Sequence, residues 1–284
     1  MRMGIFQSKR GQRSKAVTIL LYFFMILLAI ICVYPYIWVA ISGFKTNSEI
    51  FTSPFSLPEK WQIQNYFEAW TVGHLGEYYG NTILVTAISV LFYLPLVILA
   101  AYPLAKIQFV GKKLILPFLL FGLAVPFQAY MLSLYTVLRD LRALNTVWGI
   151  ALPLIGQQIP FGIFMMRSFF VGIPDGIIDA ARIDGATERK VLLRVLIPMA
   201  KSAVISLAIF QMVFAWNAFM IPLLYANTGD LRTLTLGLMY YSGEYTTNYS
   251  WTMSGTIIVS LPLILVFLIF RRGFIQGIAA GSIK

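Results

Sequence analysis

Hydrophobic residues along this chain form six long stretches that contain no charged residue. The stretches occupy residues 16–44, 78–105, 114–138, 143–166, 202–229 and 245–270. Each exceeds the roughly 20 residues that a helix needs to cross about 30 Å of hydrocarbon. Their apolar positions do not alternate with polar ones, so the pattern favours helices over the strands of a membrane barrel.

The predicted fold is therefore an all-α integral membrane protein with six transmembrane helices in one domain of residues 1–284. We place the spans at about 17–42, 82–105, 114–137, 145–167, 202–225 and 251–270. The first is too long for the roughly 7–15-residue core of a signal peptide, so we expect it to be retained as a span.

Positive charge is distributed unevenly about these spans. Six spans put both termini on one side of the membrane with the connections at 106–113 and 167–201, and that side holds 17 of the 22 Lys and Arg residues. Because Lys and Arg concentrate in cytoplasmic loops, we expect both termini to be cytoplasmic.

Composition agrees with a membrane protein and argues against nucleic acid as a partner. Hydrophobic residues make up 59% of the chain and charged residues 12%, against about 45–50% and about 25% in soluble domains. Topology and attraction to anionic membrane lipid explain the net charge of +11. No loop interleaves basic residues with stacking aromatic residues, as a nucleic-acid surface would require.

The sequence lacks the patterns of an ATP site, a metal site or a catalytic site. Residues 43–46 come nearest to a phosphate-binding loop and depart from it at two positions. His74 is the sole histidine, which excludes a zinc-protease helix and a histidine-based triad. The six stretches carry no charge that could serve proton coupling. We expect no enzyme activity, metal or cofactor on this chain, and we expect energy for uphill transport to come from another subunit.

Uncharged polar residues do occur in the stretches, close in sequence to aromatic residues. The amides are Gln128, Gln157, Gln158, Gln211 and Asn217, and the rings are Tyr130, Tyr135, Phe214, Trp216 and Phe219. Amides and aromatic faces suit a neutral polyhydroxyl ligand. For each residue alone, hydrogen bonding between helices, worth about 0.6 kcal/mol, is the alternative interpretation.

The connection after the fourth span predicts a helical hairpin at 174–198. Pro174 suits the first position of a helix, and Asp175 and Asp179 are favourable near its start. Gly185 is expected to end this helix, because glycine readily adopts the left-handed conformation. A second helix is predicted from about Thr187 to Ile197. By pattern alone, the segment is equally compatible with an ordinary surface hairpin.

In detail, the hairpin resembles the EAA loop of ABC-importer permeases. That loop reads Glu-Ala-Ala, then Gly four residues after the second Ala, and closes a twenty-residue stretch with Ile-x-Leu-Pro. Asp179, Ala180, Ala181, Gly185 and Pro198 fall at these spacings, with Asp in place of Glu.

Other segments are similar to the carbohydrate branch of these permeases, in particular the second permease subunit of maltose-type importers. They are the outer loop from Phe51 to Tyr66, Leu144-Asn145-Thr146, Arg167-Ser168-Phe169-Phe170, Phe210 to Leu223, and the tail from Gly277 to Lys284. At Ala218 many members of that branch carry Asp or Glu, so no role of that acid is transferred to this chain.

The resemblance implies a type I importer permease in a bacterial or archaeal cell membrane, with the hairpin as a cytoplasmic coupling helix. The residues expected to couple to the ATPase are Asp179, Ala180, Ala181, Arg182, Asp184, Gly185, Glu188 and Pro198. Candidates for lining the sugar path are Gln211, Phe214, Trp216 and Asn217. The tail from Ile275 to Lys284 is expected to approach the ATPase.

The implied partners are a second homologous permease, a dimer of ABC ATPase subunits that carries ATP and Mg, an external solute-binding protein and a saccharide. Two alternatives remain from the residues alone. One is an ABC permease for another solute, such as an amino acid, phosphonate or peptide. The other is a channel or secondary carrier that needs no ATPase. An integral-membrane enzyme is the weakest alternative, for want of catalytic groups in the spans.

Overall fold

The computed structural model describes residues 15–226, 229–239, 241 and 247–282. Of the basic residues that predict the orientation, Arg2, Lys9, Arg10, Arg13 and Lys284 lie outside this part of the chain. The described residues form helices and turns without a β-strand. The helices are α1 (Lys15–Ser42), α2 (Asn47–Thr52), α3 (Gln64–Thr71), α4 (Leu75–Lys106), α5 (Lys112–Ala124), α6 (Phe127–Asp140), α7 (Val147–Gly172), α8 (Asp175–Ile183), α9 (Glu188–Met199), α10 (Lys201–Trp216), α11 (Met220–Tyr225), α12 (Leu234–Met239) and α13 (Tyr249–Ser282).

Four helices in the described residues are long and apolar enough to cross a membrane by themselves: α1, α4, α7 and α13. Two bent pairs raise the number of spans to six if each pair crosses once, namely α5 with α6 and α9 with α10. The all-helical membrane fold is therefore confirmed.

The third predicted span differs in shape from the straight helix expected over 114–137. It is divided into α5 and α6, whose axes differ by 98°. Val125 and Pro126 between them have extended backbones, with ψ of 114° and 143°. This follows from local sterics, because a proline disfavours the helical conformation in the residue before it.

The fifth predicted span also differs from the continuous helix expected over 202–225. Helix α10 ends at Trp216, and α11 begins only at Met220. At its start α10 bends by 80° from α9. The break at 217–219 exposes the Asn217 side chain at the surface of the bundle.

Helices α4 and α7 form the centre of the bundle and pack along much of their length. Gly162 of α7 allows a close approach of the two helices, since a Cβ atom there would lie 2.2 Å from Tyr93 Oη and 2.7 Å from Val97 Cγ2 of α4. The largest buried cluster extends from this contact to α8 and α9. We call the end of the bundle that carries α8 and α9 the inner end and the opposite end the outer end.

Helix α1 lies at the edge of the bundle and packs mainly on α13. The most apolar part of its span is not buried at all within this chain. Lipid or another subunit must therefore cover most of its surface, because hydrocarbon side chains on every face of a helix are not stable in water.

Candidate functional site: a helical hairpin and an uncharged cleft

The inner end carries the predicted hairpin, made of α8, a tight turn and α9. Helix α8 ends at Ile183, and Gly185 has a φ of 81° in the left-handed region. Thr187 caps α9 by accepting a hydrogen bond from the Lys190 backbone N–H. The predicted sequence of helix, glycine turn and helix is confirmed. A π-helical segment at Val191–Leu196 within α9 was not predicted.

Apolar side chains fix the hairpin to the rest of the bundle. Ile178 of α8 and Val191, Leu192 and Leu196 of α9 are all at most 5% exposed. They belong to the same buried cluster as residues at the inner ends of α4 and α7, including Leu104 and Phe170. The hairpin and the inner ends of α4 and α7 therefore form one packed unit.

Polar contacts attach the start of each hairpin helix to α4. Lys106 Nζ donates hydrogen bonds to Asp175 Oδ1 (2.6 Å) and to the Ile173 carbonyl oxygen (2.5 Å). The Tyr102 hydroxyl donates to the carboxylate of Glu188. Asp175 and Glu188 are the first residues of α8 and α9. The hydrogen bond from Lys106 lowers the pKa of Asp175 below its ordinary value.

A third set of contacts joins the two helices of the hairpin to each other. Arg182 Nε donates to Glu188 Oε1 (2.9 Å), and Arg182 Nη1 donates to Asp179 Oδ1 (3.2 Å). The hydrogen bonds from Arg182 and then from Tyr102 lower the pKa of Glu188. These three charged residues therefore have partners within the chain, although all three remain exposed and accessible to another protein.

The other residues singled out from the sequence occupy different positions on the hairpin. Ala180, Asp184, Gly185 and Pro198 are exposed, whereas Ala181 is half-buried and packs against the core. Ile183 was not singled out and is the most exposed apolar residue of the hairpin, at 86%. It lies on the face of α8 that holds Ala180, three residues earlier, and this helical spacing is the signal that identifies it. Tyr102 and Lys106 were also missed, since no local pattern relates them to the hairpin.

In the membrane region, α6, α7 and α10 enclose two adjoining clefts. Their volumes are about 800 and 480 Å³, and both are lined by Phe127, Gln157 and Phe214. The larger also contacts Tyr130 and Gln158. Among the described residues that line either cleft, none is charged. The bend between α5 and α6 creates this space, because Val125 and Pro126 form part of its wall.

Two of the four residues predicted to line a sugar path lie in these clefts. Phe214 and Asn217 line the smaller one, together with Gln128. Phe219, at the break after α10, lines it as well.

The other two lie elsewhere in the bundle. Trp216 is 3% exposed and donates from Nε1 to the Val259 carbonyl oxygen at 3.0 Å. Its ring forms part of a separate apolar groove of about 680 Å³ beside α4 and α13. Gln211 is fully buried, and neither atom of its amide has a hydrogen-bond partner among the described residues.

The chain is similar to known membrane transport proteins over most of its length. Residues 93–279 match the family described as the inner membrane component of binding-protein-dependent transport systems. The chain is 33% identical over 261 residues to the probable ABC transporter permease protein YurM of Bacillus subtilis, with 92% of this chain and 87% of YurM covered. It is 32% identical over 262 residues to the diacetylchitobiose uptake system permease protein NgcG of Streptomyces coelicolor, again with 92% and 87% covered.

A solved structure shares the same fold. A chain of a bacterial ABC transporter involved in the import of the acidic polysaccharide alginate superposes with a TM-score of 0.76, covering 92% of this chain and 98% of that chain. Its sequence identity to this chain is 20%, so this likeness establishes the fold alone.

Proposed function

This chain belongs to the family of inner membrane components of binding-protein-dependent transport systems, and from that premise we propose that it forms half of a path for saccharide uptake. It is a multi-pass membrane permease of an ABC importer. The name of NgcG specifies a diacetylchitobiose uptake system. That name, together with the resemblance of several segments to maltose-type permeases, supports a sugar or oligosaccharide as the substrate.

The observation that carries this proposal is the uncharged cleft between α6, α7 and α10. Gln128, Gln157 and Asn217 supply amide groups along one continuous lining, and Phe214 supplies an aromatic face. Sugars present hydroxyl groups that both donate and accept hydrogen bonds, and their C–H faces stack on aromatic rings. The absence of charge among the described lining residues favours a neutral saccharide over an amino acid or a phosphonate.

The proposed assembly has four kinds of subunit. The uncovered surface of α1 supports contact with a second homologous permease, and the exposed face of α8 supports docking in a groove of a cytoplasmic ATPase dimer that binds ATP and Mg. A solute-binding protein delivers the saccharide to the outer end. The charge distribution of the sequence supports a cytoplasmic inner end in a bacterial or archaeal cell membrane.

The packing of the hairpin supports a mechanical role for it. Ile178, Val191 and Leu196 are buried against the inner ends of α4 and α7, so force applied to α8 reaches the membrane helices directly. When ATP closes the ATPase dimer, the two hairpins of the permease pair approach each other. The bundle then changes between inward and outward access by rigid-body rotation.

Solute uptake by an importer that carries Gln157→Leu tests the proposed saccharide site. Cells or proteoliposomes that contain the complete importer are supplied with a panel of radiolabelled mono-, di- and oligosaccharides and, separately, with radiolabelled amino acids. We expect saccharide uptake by the wild type and a roughly 2–10-fold loss in the variant, since a lost hydrogen bond is worth about 0.5–1.5 kcal/mol. Gln64→Leu is the matched control, because Gln64 is exposed on α3 away from the cleft. Uptake of an amino acid in place of any sugar would refute the assignment.

A further inference from the structure

We propose that α4 acts as a rigid helix that transmits movement of the hairpin to Gly229–Met239, which we call the outer segment. Tyr102 and Asn81 are the positioning residues at the two ends of α4. This inference rests on the proposed function, because it concerns how the hairpin acts on the path.

At the inner end, α4 holds the hairpin at two points on one side of the helix. Tyr102 and Lys106 are four residues apart and therefore lie on the same face of α4. Tyr102 contacts the first residue of α9, and Lys106 contacts the first residue of α8. The Lys106 side chain is only 5% exposed, so its ion pair with Asp175 is anchored on the α4 side. A displacement of either hairpin helix therefore pulls on α4.

At the outer end, α4 holds the segment Gly229–Met239 through side chains within its first two turns. Asn81 Nδ2 donates to the carbonyl oxygens of Asp230 (2.8 Å) and Arg232 (3.1 Å). The backbone N–H of Leu234 donates to Thr82 Oγ1 at 2.9 Å, in a buried contact.

Steric contact reinforces these bonds. Gly237 lies directly on the ring of Tyr78, since a Cβ atom at Gly237 would be 2.3 Å from Tyr78 Cδ2. The outer segment is therefore fixed to α4 by hydrogen bonds and by close packing together.

The outer segment reaches the wall of the candidate substrate cleft. Thr235 Oγ1 donates to the Ala218 carbonyl oxygen at 2.5 Å. Ala218 belongs to the break after α10 and lines the smaller cleft. Movement of the outer segment with α4 therefore changes the shape of the cleft wall.

Between its two ends, α4 is one helix from Leu75 to Lys106. At 1.5 Å per residue, Asn81 and Tyr102 are about 30 Å apart. Pro95 and Pro103 lie within the helix without ending it. Close packing against α7 at Gly162 opposes bending in the middle. A rigid, tightly packed element transmits displacement along its length because its packing permits few intermediate arrangements.

A double-mutant cycle tests directly whether α4 transmits the movement. It is measured on the change in distance between two labelled positions at the outer end. The assembly is purified with Cys32→Ser and with spin labels at Phe55→Cys and Met239→Cys, which are exposed positions at the outer end. The distance distribution is measured without nucleotide and with Mg-ATP and vanadate. The distribution gives the ratio of molecules with the nucleotide-bound distance to molecules with the nucleotide-free distance. The readout is the change in this ratio when Mg-ATP and vanadate are added. Tyr102→Phe and Asn81→Ala are introduced singly and together.

If α4 transmits the movement, each single variant lowers the nucleotide-induced change about 2–10-fold. The double variant then lowers it no further than the single variant with the larger loss. Two merely structural sites so far apart would give losses that multiply. The matched control is Asn65→Ala combined with Tyr102→Phe. Asn65 also donates to two backbone carbonyls near the outer end, but it lies on α3 and contacts Gly43 and Lys45. The losses in this control cycle are expected to multiply.

Multiplying losses in the Asn81 cycle would overturn the proposal, as would an unchanged nucleotide response in both single variants. If Asn81→Ala prevents assembly, Thr82→Val replaces it, because valine keeps the shape and removes the acceptor for Leu234. Failure of the wild-type chain to purify with an ATPase would instead refute the proposed function. This outcome differs from multiplying losses in an intact assembly, which would refute only the role of α4.

Discussion

The contact between Gly162 and Tyr93 shows how one missing side chain sets the distance between two membrane helices. Tyr93 is 1% exposed and is among the largest fully buried side chains of the protein. Its ring occupies the space that a side chain on Gly162 would need. Small residues allow this close approach of helices in membranes, where dispersion contacts and not hydrophobic burial hold helices together.

We predict that Gly162→Ala destabilises the permease by about 1–3 kcal/mol, because overpacking a tight contact forces the backbones apart. Thermal unfolding in detergent, followed by tryptophan fluorescence, measures this as a lower midpoint. Gly156→Ala on the same helix is the control. A Cβ atom at Gly156 meets nothing within 4 Å, so this change should stabilise α7 by up to about 1 kcal/mol. Equal effects of the two substitutions would contradict the packing argument.

The hairpin depends on charge contacts as well as on its buried face. Glu188 accepts from Arg182 within the hairpin and from Tyr102 of α4. Both contacts favour the ionised carboxylate, and the pKa of Glu188 is consequently lower than its ordinary value of 4.5. A carboxyl group whose pKa is lowered on folding stabilises the folded state above its unfolded pKa, and this stabilisation is lost as the pH falls through the folded pKa.

We therefore expect Glu188→Gln to lower the unfolding midpoint of the purified assembly by about 1–3 °C at pH 7. The effect is small because an exposed ion pair contributes little to the free energy of unfolding. The difference from the wild type should persist at pH 5 and be smaller at pH 4, which is below the ordinary pKa of 4.5. Scanning calorimetry or fluorescence melting at pH 7, 5 and 4 provides the comparison. Asp140→Asn is the control, since Asp140 pairs only with its exposed neighbour Arg139 among the described contacts, and a shift below about 1 °C is expected. A larger effect of Glu188→Gln at pH 4 than at pH 7 would show that the sign is wrong.

For the molecule as a whole, the distribution of exposed apolar surface indicates which parts meet other subunits. Helix α1 exposes apolar side chains on every face. Ile183 is 86% exposed at the inner end, beyond the buried face of the hairpin. The first surface lies along the membrane and the second projects from it, so the two surfaces suit different partners.

We predict that Ile183→Asp weakens retention of the ATPase while the second permease remains bound. A tagged chain is extracted from its native membrane in mild detergent, and the co-purifying subunits are quantified by mass spectrometry. The wild type should bring down one further permease and two ATPase copies. The variant should lose most of the ATPase, because a charge placed at a desolvated apolar contact is costly. Val110→Asp, at a fully exposed residue of the connection between α4 and α5, should retain the ATPase. Retention of the ATPase by Ile183→Asp would exclude this face as the docking surface.

The amino-acid sequence by itself determined the membrane class, the positions of the hydrophobic stretches and the hairpin with its turn at Gly185. These features have local causes, namely continuous apolar runs, helix-capping residues and the conformational freedom of glycine.

Helical periodicity also shows which residues share a face of one helix. It does not show which neighbouring helix that face meets. Gln211 and Trp216 were grouped with Phe214 and Asn217 because the four residues are close in sequence, although only the latter pair lines the cleft. The tertiary structure alone decided those neighbours, the angle between α5 and α6, and the contact of Tyr102 with Glu188 across 86 residues of sequence. Contacts between residues so distant in the chain depend on the packing of the whole bundle, which no local pattern encodes.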